Sequence, residues 1–135
     1  MNELAMAFDF GTKRIGVAIG QRITATATPA TTVAAKDGIP LWETLDKLVQ
    51  EWKPNVFIVG LPLNMDGSES KMSKAATRFS KRLHGRYGIR TQLVDERLST
   101  FEAREFEIPG KVDAIAAKVI LETWLNAGMN EDYEQ

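Results

Sequence analysis

The sequence predicts an α/β domain: a mixed five-stranded sheet, three antiparallel strands followed by parallel ones, flanked by helices. Three observations carry this reading. The N-terminal third holds three short apolar or β-branched runs joined by tight links. An amphipathic helical pattern follows, and helix-period and strand-period segments then alternate to the end. The resulting order is βββαβαβα.

The elements follow in turn. Along "LAMAFDF" (4–10), Leu4, Met6, Phe8 and Phe10 share one face, and Ala5, Ala7 and Asp9 the other. "GTK" separates this run from "RIGVAIG" (14–20), and "TATATPATTVAA" (24–35) is a third strand rich in threonine and valine. Such tight links predict an antiparallel meander. "IPLWETLDKLVQEW" (39–52) places Leu41, Leu45, Leu48, Val49 and Trp52 at helical spacing, between Pro40 near its start and Pro54 just past its end. "VFIVG" (56–60) is a continuous apolar run, the pattern of a buried parallel strand, and the turn-rich "LPLNMDGSES" follows it. Residues 71–86 predict a helix, "RTQLVDE" (90–96) a strand, and Ser99 to Ala127 a helix pair. Trp42, Trp52 and Trp124 all fall at helical positions suited to core packing. No linker, repeat or low-complexity segment interrupts the pattern, so residues 1–128 read as one domain and 129–135 as an acidic tail.

Composition narrows the function classes. A chain of 135 residues, 44% hydrophobic and 26% charged, fits one globular domain. It has no cysteine, which excludes disulfides, thiolate zinc sites and cysteine nucleophiles. "MNELAMAF" lacks the basic and long apolar parts of a secretory signal, and no uncharged run is long enough to cross a bilayer. A cytoplasmic protein is the expectation.

The net charge of −1 hides a segregation. Residues 1–70 hold six Lys/Arg against eight Asp/Glu, residues 71–90 seven against none, and the remainder four against ten. Within the basic block, Lys71, Lys74, Arg78, Lys81 and Arg82 recur at helical steps, with Met72, Ala75, Ala76, Phe79 and Leu83 on the opposite side. A solvated helix face normally mixes signs, so an acid-free face predicts binding of nucleic acid or another polyanion. His84, the only histidine, is better read as an accessory contact or a charge at the helix C-terminus than as a catalytic base.

Acids stand at three places where chemistry could gather. Asp9 ends the first strand on its small-residue face; Asp95 and Glu96 end the strand at 90–96 with opposite facings; Asp113 opens an apolar helix. Each has an ordinary alternative, a turn acid for Asp9 and a helix-dipole acid for Asp113. Strand ends and helix starts can nonetheless converge at one edge of a sheet. Clustered carboxylates need a cation, and an oxygen-only set suits Mg²⁺ or Mn²⁺, which support phosphodiester hydrolysis.

"FDFGTKRIGVAIG", "VGLPLNMDGSES", "VDERLST" and "KVDAIAAKVILETWL", in this order, resemble the YqgF (RuvX) family of ribonuclease H-like nucleases. That family is named for Holliday junction resolution and associated with processing the 5′ end of pre-16S ribosomal RNA. The resemblance runs from about residue 5 to residue 127. It implies a ribonuclease H-like fold, metal-dependent nuclease activity, a cytoplasmic role in ribosome maturation, and Asp9, Glu96 and Asp113 as the catalytic, metal-binding carboxylates. One departure is the short segment "FEAREFEIPG" between "DERLST" and "KVDA", where the family typically has a longer one.

Around these acids, Lys13 and Arg14 follow the turn after Asp9 and are placed to hold a phosphate or to be plain exposed turn residues. Arg97 could pair with a carboxylate or meet the scissile phosphate; Asn64, Asp66 and Ser68 could contact substrate or simply build a turn. The expected partner is structured pre-ribosomal RNA, with branched DNA as the alternative substrate. Two other classes compete. "DFGTKRIGVA" is similar to the first phosphate loop of actin-like and sugar-kinase ATPases, which close two lobes over a nucleotide where this chain supplies one. A non-catalytic RNA-binding factor using the 71–86 helix is the other.

Overall fold

Alternation along β1 (Leu4–Asp9) divides the molecule into two cores. A computed structural model describes residues 3–98 and 111–130. Met6 and Phe8 face one side, where they pack with Leu45, Phe57, Phe79 and Leu83. Ala5 and Ala7 face the other, with Ala18, Ile58, Ala117 and Leu121. Phe8 lies edge-on to both Phe57 and Phe79, each at 5.5 Å between ring centres, so the central strand is backed by an aromatic cluster.

Antiparallel to β1 runs β2 (Arg14–Gln21), and β3 (Thr26–Lys36) continues the meander with a register shift between the Val17–Thr31 and Ala18–Pro29 pairs, which skips Ala30. On the opposite edge β5 (Val56–Leu61) pairs parallel to β1, and β6 (Arg90–Asp95) parallel to β5. Asn55 sets this parallel register: its Oδ1 accepts from the Leu4 amide at 2.8 Å, and its own amide donates to the Leu4 carbonyl at 2.7 Å. With β4 (Ile39–Pro40) the sheet order is β4-β3-β2-β1-β5-β6. Helices α1 (Trp42–Trp52) and α2 (Lys71–Tyr87) cover the aromatic face, and α3 (Lys111–Asn130) covers the alanine face.

The mixed sheet is as expected, with one strand more than the five predicted. Ile39 and Pro40, read from the sequence as helix, pair instead with Lys36 and Ala35. Asp37 and Gly38, at φ 53° and 83°, make the tight turn that sends them back, an Asp-Gly hairpin signal that the helical spacing masked. Proline is tolerated there because β4 is an edge. Trp52 is not core: it is exposed, beside Leu4, Ile19 and Pro29 in a shallow groove. Met72 is likewise exposed, because buried Ser73 takes the packed position at the start of α2. Strand β6 stops at Asp95, and Glu96 opens a short 3₁₀ turn, Glu96–Leu98. Of the expected helix pair, α3 is the second member; the first, from Ser99, lies outside the described residues, as does the short segment noted above, and of the tail expected at 129–135 the first two residues belong to α3 while 131–135 lie outside the described residues.

Asp46 ties α1 to α2. Arg86 grips its carboxylate with two hydrogen bonds, 2.9 and 2.7 Å, while stacking on Trp42, and the Tyr87 hydroxyl donates to the same carboxylate. The Arg86 hydrogen bonds, then that of Tyr87, hold the Asp46 carboxyl at about 2, below its ordinary value of 3.8. A depressed carboxyl contributes stability above its unfolded value and loses it as pH falls through the folded one. Asp46→Asn is therefore expected to lower Tm by a few degrees at pH 7, the gap from wild type closing between about pH 4 and pH 2; thermal melts across that range check it.

Candidate active site

The carboxylate of Asp9 sits at the end of the central strand, on the α3 face, between two glycines. In the β1–β2 ladder Asp9 lies opposite Gly16. A side chain at Gly16 could not exist in this arrangement: its Cβ would stand 1.9 Å from the Asp113 carbonyl oxygen and 2.9 Å from the Ala114 amide. The first turn of α3 is thus pressed onto β2 beside Asp9, and carries Asp113 with it. On the other flank Phe8 pairs with Val59, which brings Gly60 level with Asp9. A Cβ at Gly60 would stand 2.3 Å from Glu96 Oε2 and 2.6 Å from Ile120 Cδ1. The Glu96 carboxylate therefore lies over Gly60.

All three predicted carboxylates thus occupy one face at one edge of the sheet, and two glycines that sequence reasoning did not single out bring them there. The signal was present. In "RIGVAIG" the residues facing α3 are Gly16, Ala18 and Gly20, all small.

Asp95 and Glu96 divide by facing, as alternation predicts. Gln92, two pleats earlier, accepts from Trp124 Nε1 of α3, and Val94 is in the α3 core, so Glu96 continues that face. Asp95 faces the other way and is held by Arg97, whose Nη2 reaches Oδ2 at 2.7 Å; this pairing keeps the Asp95 carboxyl below its usual range. Arg97 Nη1 also donates to the Met65 carbonyl at 3.2 Å, tying the β5–α2 loop to the end of β6.

That loop satisfies itself. Asp66 Oδ1 accepts from the Ser68 amide and hydroxyl, which lowers the Asp66 pKa, and Asn64 Nδ2 donates to Ser68 Oγ at 3.0 Å. Asn64, Asp66 and Ser68 shape a turn in this structure, and a reciprocal Ser70–Ser73 cap then starts α2.

The cations fall into two kinds. Among the described residues Arg14, Arg22, Arg86, Arg90 and Arg97 all pair with carboxylates. Lys71, Lys74, Arg78, Lys81 and Arg82 are all exposed and form no ion pair with any described residue. They make a stripe of about 16 Å along α2, beginning at the edge where β5 delivers the chain. Lys13 is exposed in the β1–β2 turn, and Arg14, at the first position of β2, donates from Nε to Asp113 Oδ2 at 2.9 Å.

Among the described residues no three carboxylate or imidazole groups stand close enough, as placed, to form a finished metal cage. The donor set itself, carboxylate oxygens alone, matches hard divalent cations.

A sheet of this order, with one helix on the face that carries the strand-end carboxylates, is a RuvC-like, ribonuclease H-like fold. It matches the structure of T. thermophilus RuvC in complex with a Holliday junction substrate at a TM-score of 0.58, with 11% identity over 96% of this chain and 97% of that one. It also matches the fowlpox virus Holliday junction resolvase at 0.50, with 12% identity over 94% and 98%. At these identities the likeness is one of fold.

The chain belongs to the RuvX family, whose model, described as Holliday junction resolvase, matches residues 3–127. Close relatives are each named "Putative pre-16S rRNA nuclease". That of Sodalis glossinidius (strain morsitans) is 54% identical over 129 residues, 89% of this chain and 92% of the relative. That of Pectobacterium carotovorum subsp. carotovorum (strain PC1) is 53% identical over 131 residues, 90% and 94% respectively.

The two glycines predict different outcomes. Gly16→Ala meets backbone, so α3 must move; a cost of about 1–3 kcal/mol and a Tm lowered by several degrees are expected. Gly60→Ala meets the tips of two side chains, so the fold is expected to survive within about 1 kcal/mol while the Glu96 carboxylate is displaced. Thermal melts of both variants, with a crystal structure of Gly60→Ala, check the contrast.

Proposed function

We infer that this protein is a divalent-metal-dependent nuclease that processes the 5′ end of pre-16S ribosomal RNA in the cytoplasm. The observation that carries the reading is the placement of Asp9, Glu96 and Asp113 on one face of the sheet edge, over Gly60 and Gly16. The names of the close relatives favour ribosomal RNA over junction DNA as substrate. Among the described residues no helix is long and apolar enough to cross a membrane, which is consistent with a cytoplasmic site of action.

Asp9, Glu96 and Asp113 would hold the ion, Mg²⁺ or Mn²⁺. Bound there, such an ion supplies the charge that acidifies water and stabilises the leaving oxygen. The chain's own part is to present the carboxylates from defined elements: Asp9 from the central strand, Glu96 from the 3₁₀ turn that follows β6, Asp113 from the first turn of α3. The α2 stripe of Lys71, Lys74, Arg78, Lys81 and Arg82 takes the phosphate backbone and, by itself, reads no sequence. Lys13 adds charge at the same edge. Arg97 and Asn64 act on RNA through the loop they brace.

The test compares wild type and Asp9→Asn, with Mn²⁺, Mg²⁺ or EDTA, on an RNA carrying the extended 5′ end of small-subunit ribosomal RNA and on a four-way DNA junction. Expected is metal-dependent cleavage of the RNA, reduced roughly 100-fold or more in Asp9→Asn. Junction cleavage in its place would assign the resolvase role; RNA binding without cleavage of either substrate would leave a binding factor. For the stripe, the double variant Lys74→Glu/Arg78→Glu is expected to weaken RNA binding roughly tenfold or more and to reduce the salt slope by about 2. Fluorescence anisotropy at several salt concentrations reads both, and unchanged values refute the stripe as an RNA surface.

A further inference from the structure

Arg14, like Arg22 and Arg90, engages a carboxylate through a single nitrogen, but its partner is Asp113 of the site where theirs is Glu3. Arg97 uses three nitrogens and Arg86 two, whereas Arg14 offers only Nε, to Asp113 Oδ2. Its side chain is 59% exposed, and among the described residues Nη1 and Nη2 have no partner. A guanidinium is a planar fork with five donors, and one edge of this fork is taken while the other is open to solvent. The position is also fixed from both sides. Arg14 begins β2 two residues before Gly16, and Gly16 is where the α3 backbone at Asp113 is pressed onto that strand. The Asp113 carboxylate thus holds the arginine at the edge that carries Asp9.

We propose that Arg14 joins the carboxylate site to the substrate backbone: Nε keeps Asp113 in place while the terminal amino groups take a non-bridging oxygen of a nucleic-acid phosphate. Phosphate docking and the orientation of Asp113 are then one event, and Asp113 is a positioning residue for RNA binding as well as a member of the site. The inference rests on the reading of this edge as the nucleic-acid site.

It makes a prediction that charge counting alone reverses. Asp113→Ala removes a negative charge, which by simple electrostatics tightens binding of a polyanion. If Asp113 aims the fork of Arg14, the same variant weakens it.

The experiment is anisotropy of the same RNA in EDTA, where no cleavage interferes, with wild type, Arg14→Gln, Asp113→Ala and the double variant, each checked by thermal melting. Expected is roughly tenfold weaker binding and a salt slope smaller by about 1 for Arg14→Gln. Asp113→Ala should bind about threefold more weakly, and should add no further loss in the Arg14→Gln background. Arg14→Lys keeps the charge but cannot hold both partners in a plane, so its salt slope stays near wild type and its affinity no longer falls on Asp113→Ala. This variant also decides the matter should Arg14→Gln fail to fold. Tighter binding by Asp113→Ala, or unchanged affinity and slope in Arg14→Gln, overturns the proposal. Because metal and turnover are absent from this assay, a wild type that binds RNA yet cuts nothing defeats the nuclease reading and leaves the Arg14 result standing. A wild type that binds no RNA defeats both.

Discussion

The approach of α3 to β2 at Gly16 is the constraint on which the rest of the site depends. A helix can lie this close to a sheet only where the sheet has no side chains to hold it away. The α3 face supplies that surface with Ala5 and Ala7 on β1, Gly16, Ala18 and Gly20 on β2, and Gly60 on β5. Through this contact Asp113, remote from Asp9 in sequence, arrives beside it in space. The helix in turn is apolar enough to be buried there, with Ala117, Leu121 and Leu125 almost wholly excluded from solvent.

The two faces of the sheet have unlike duties. The aromatic face is thick, and Phe8, Phe57 and Phe79 interlock behind the central strand, so the backbone that presents Asp9 is stiffly supported. Because α2 buries Ala76, Phe79 and Leu83 against that face, the opposite side of the helix meets solvent, and there stand the lysines and arginines that pair with no described residue. Most other arginines are neutralised by local carboxylates, as Arg86 is by Asp46. A protein of net charge −1 can in this way present a concentrated cationic surface at one place.

Asp95 and Glu96 show how adjacent residues can serve opposite ends. The pleat sends Glu96 toward the carboxylate edge and Asp95 toward Arg97, which braces the β5–α2 loop through the Met65 carbonyl. Substrate-facing roles expected for Asn64, Asp66 and Ser68 are tempered by the same geometry, since their polar groups close the loop on itself. That loop leads directly into the capped start of α2, so the basic stripe begins from a fixed point.

Much was legible in the sequence because it is local. Period-2 alternation fixed which residues of β1 and β6 share a face, and period 3.6 separated the packed and basic sides of α2, with Met72 the exception. The order of segments predicted the mixed sheet, and the four motifs predicted the family. What failed was also local but ambiguous: the Asp37-Gly38 turn was hidden under a helical spacing, and Trp52 fits a helical pattern without being buried. The placement of Asp9, Glu96 and Asp113 on one face, the pairing of Arg14 with Asp113, and the difference between arginines that pair with a described carboxylate and those that pair with none were decided by tertiary structure alone. Each depends on how close two segments distant in the chain can come, and that distance is set by the absence of side chains at Gly16 and Gly60, whose meaning appears only when another element is packed against them.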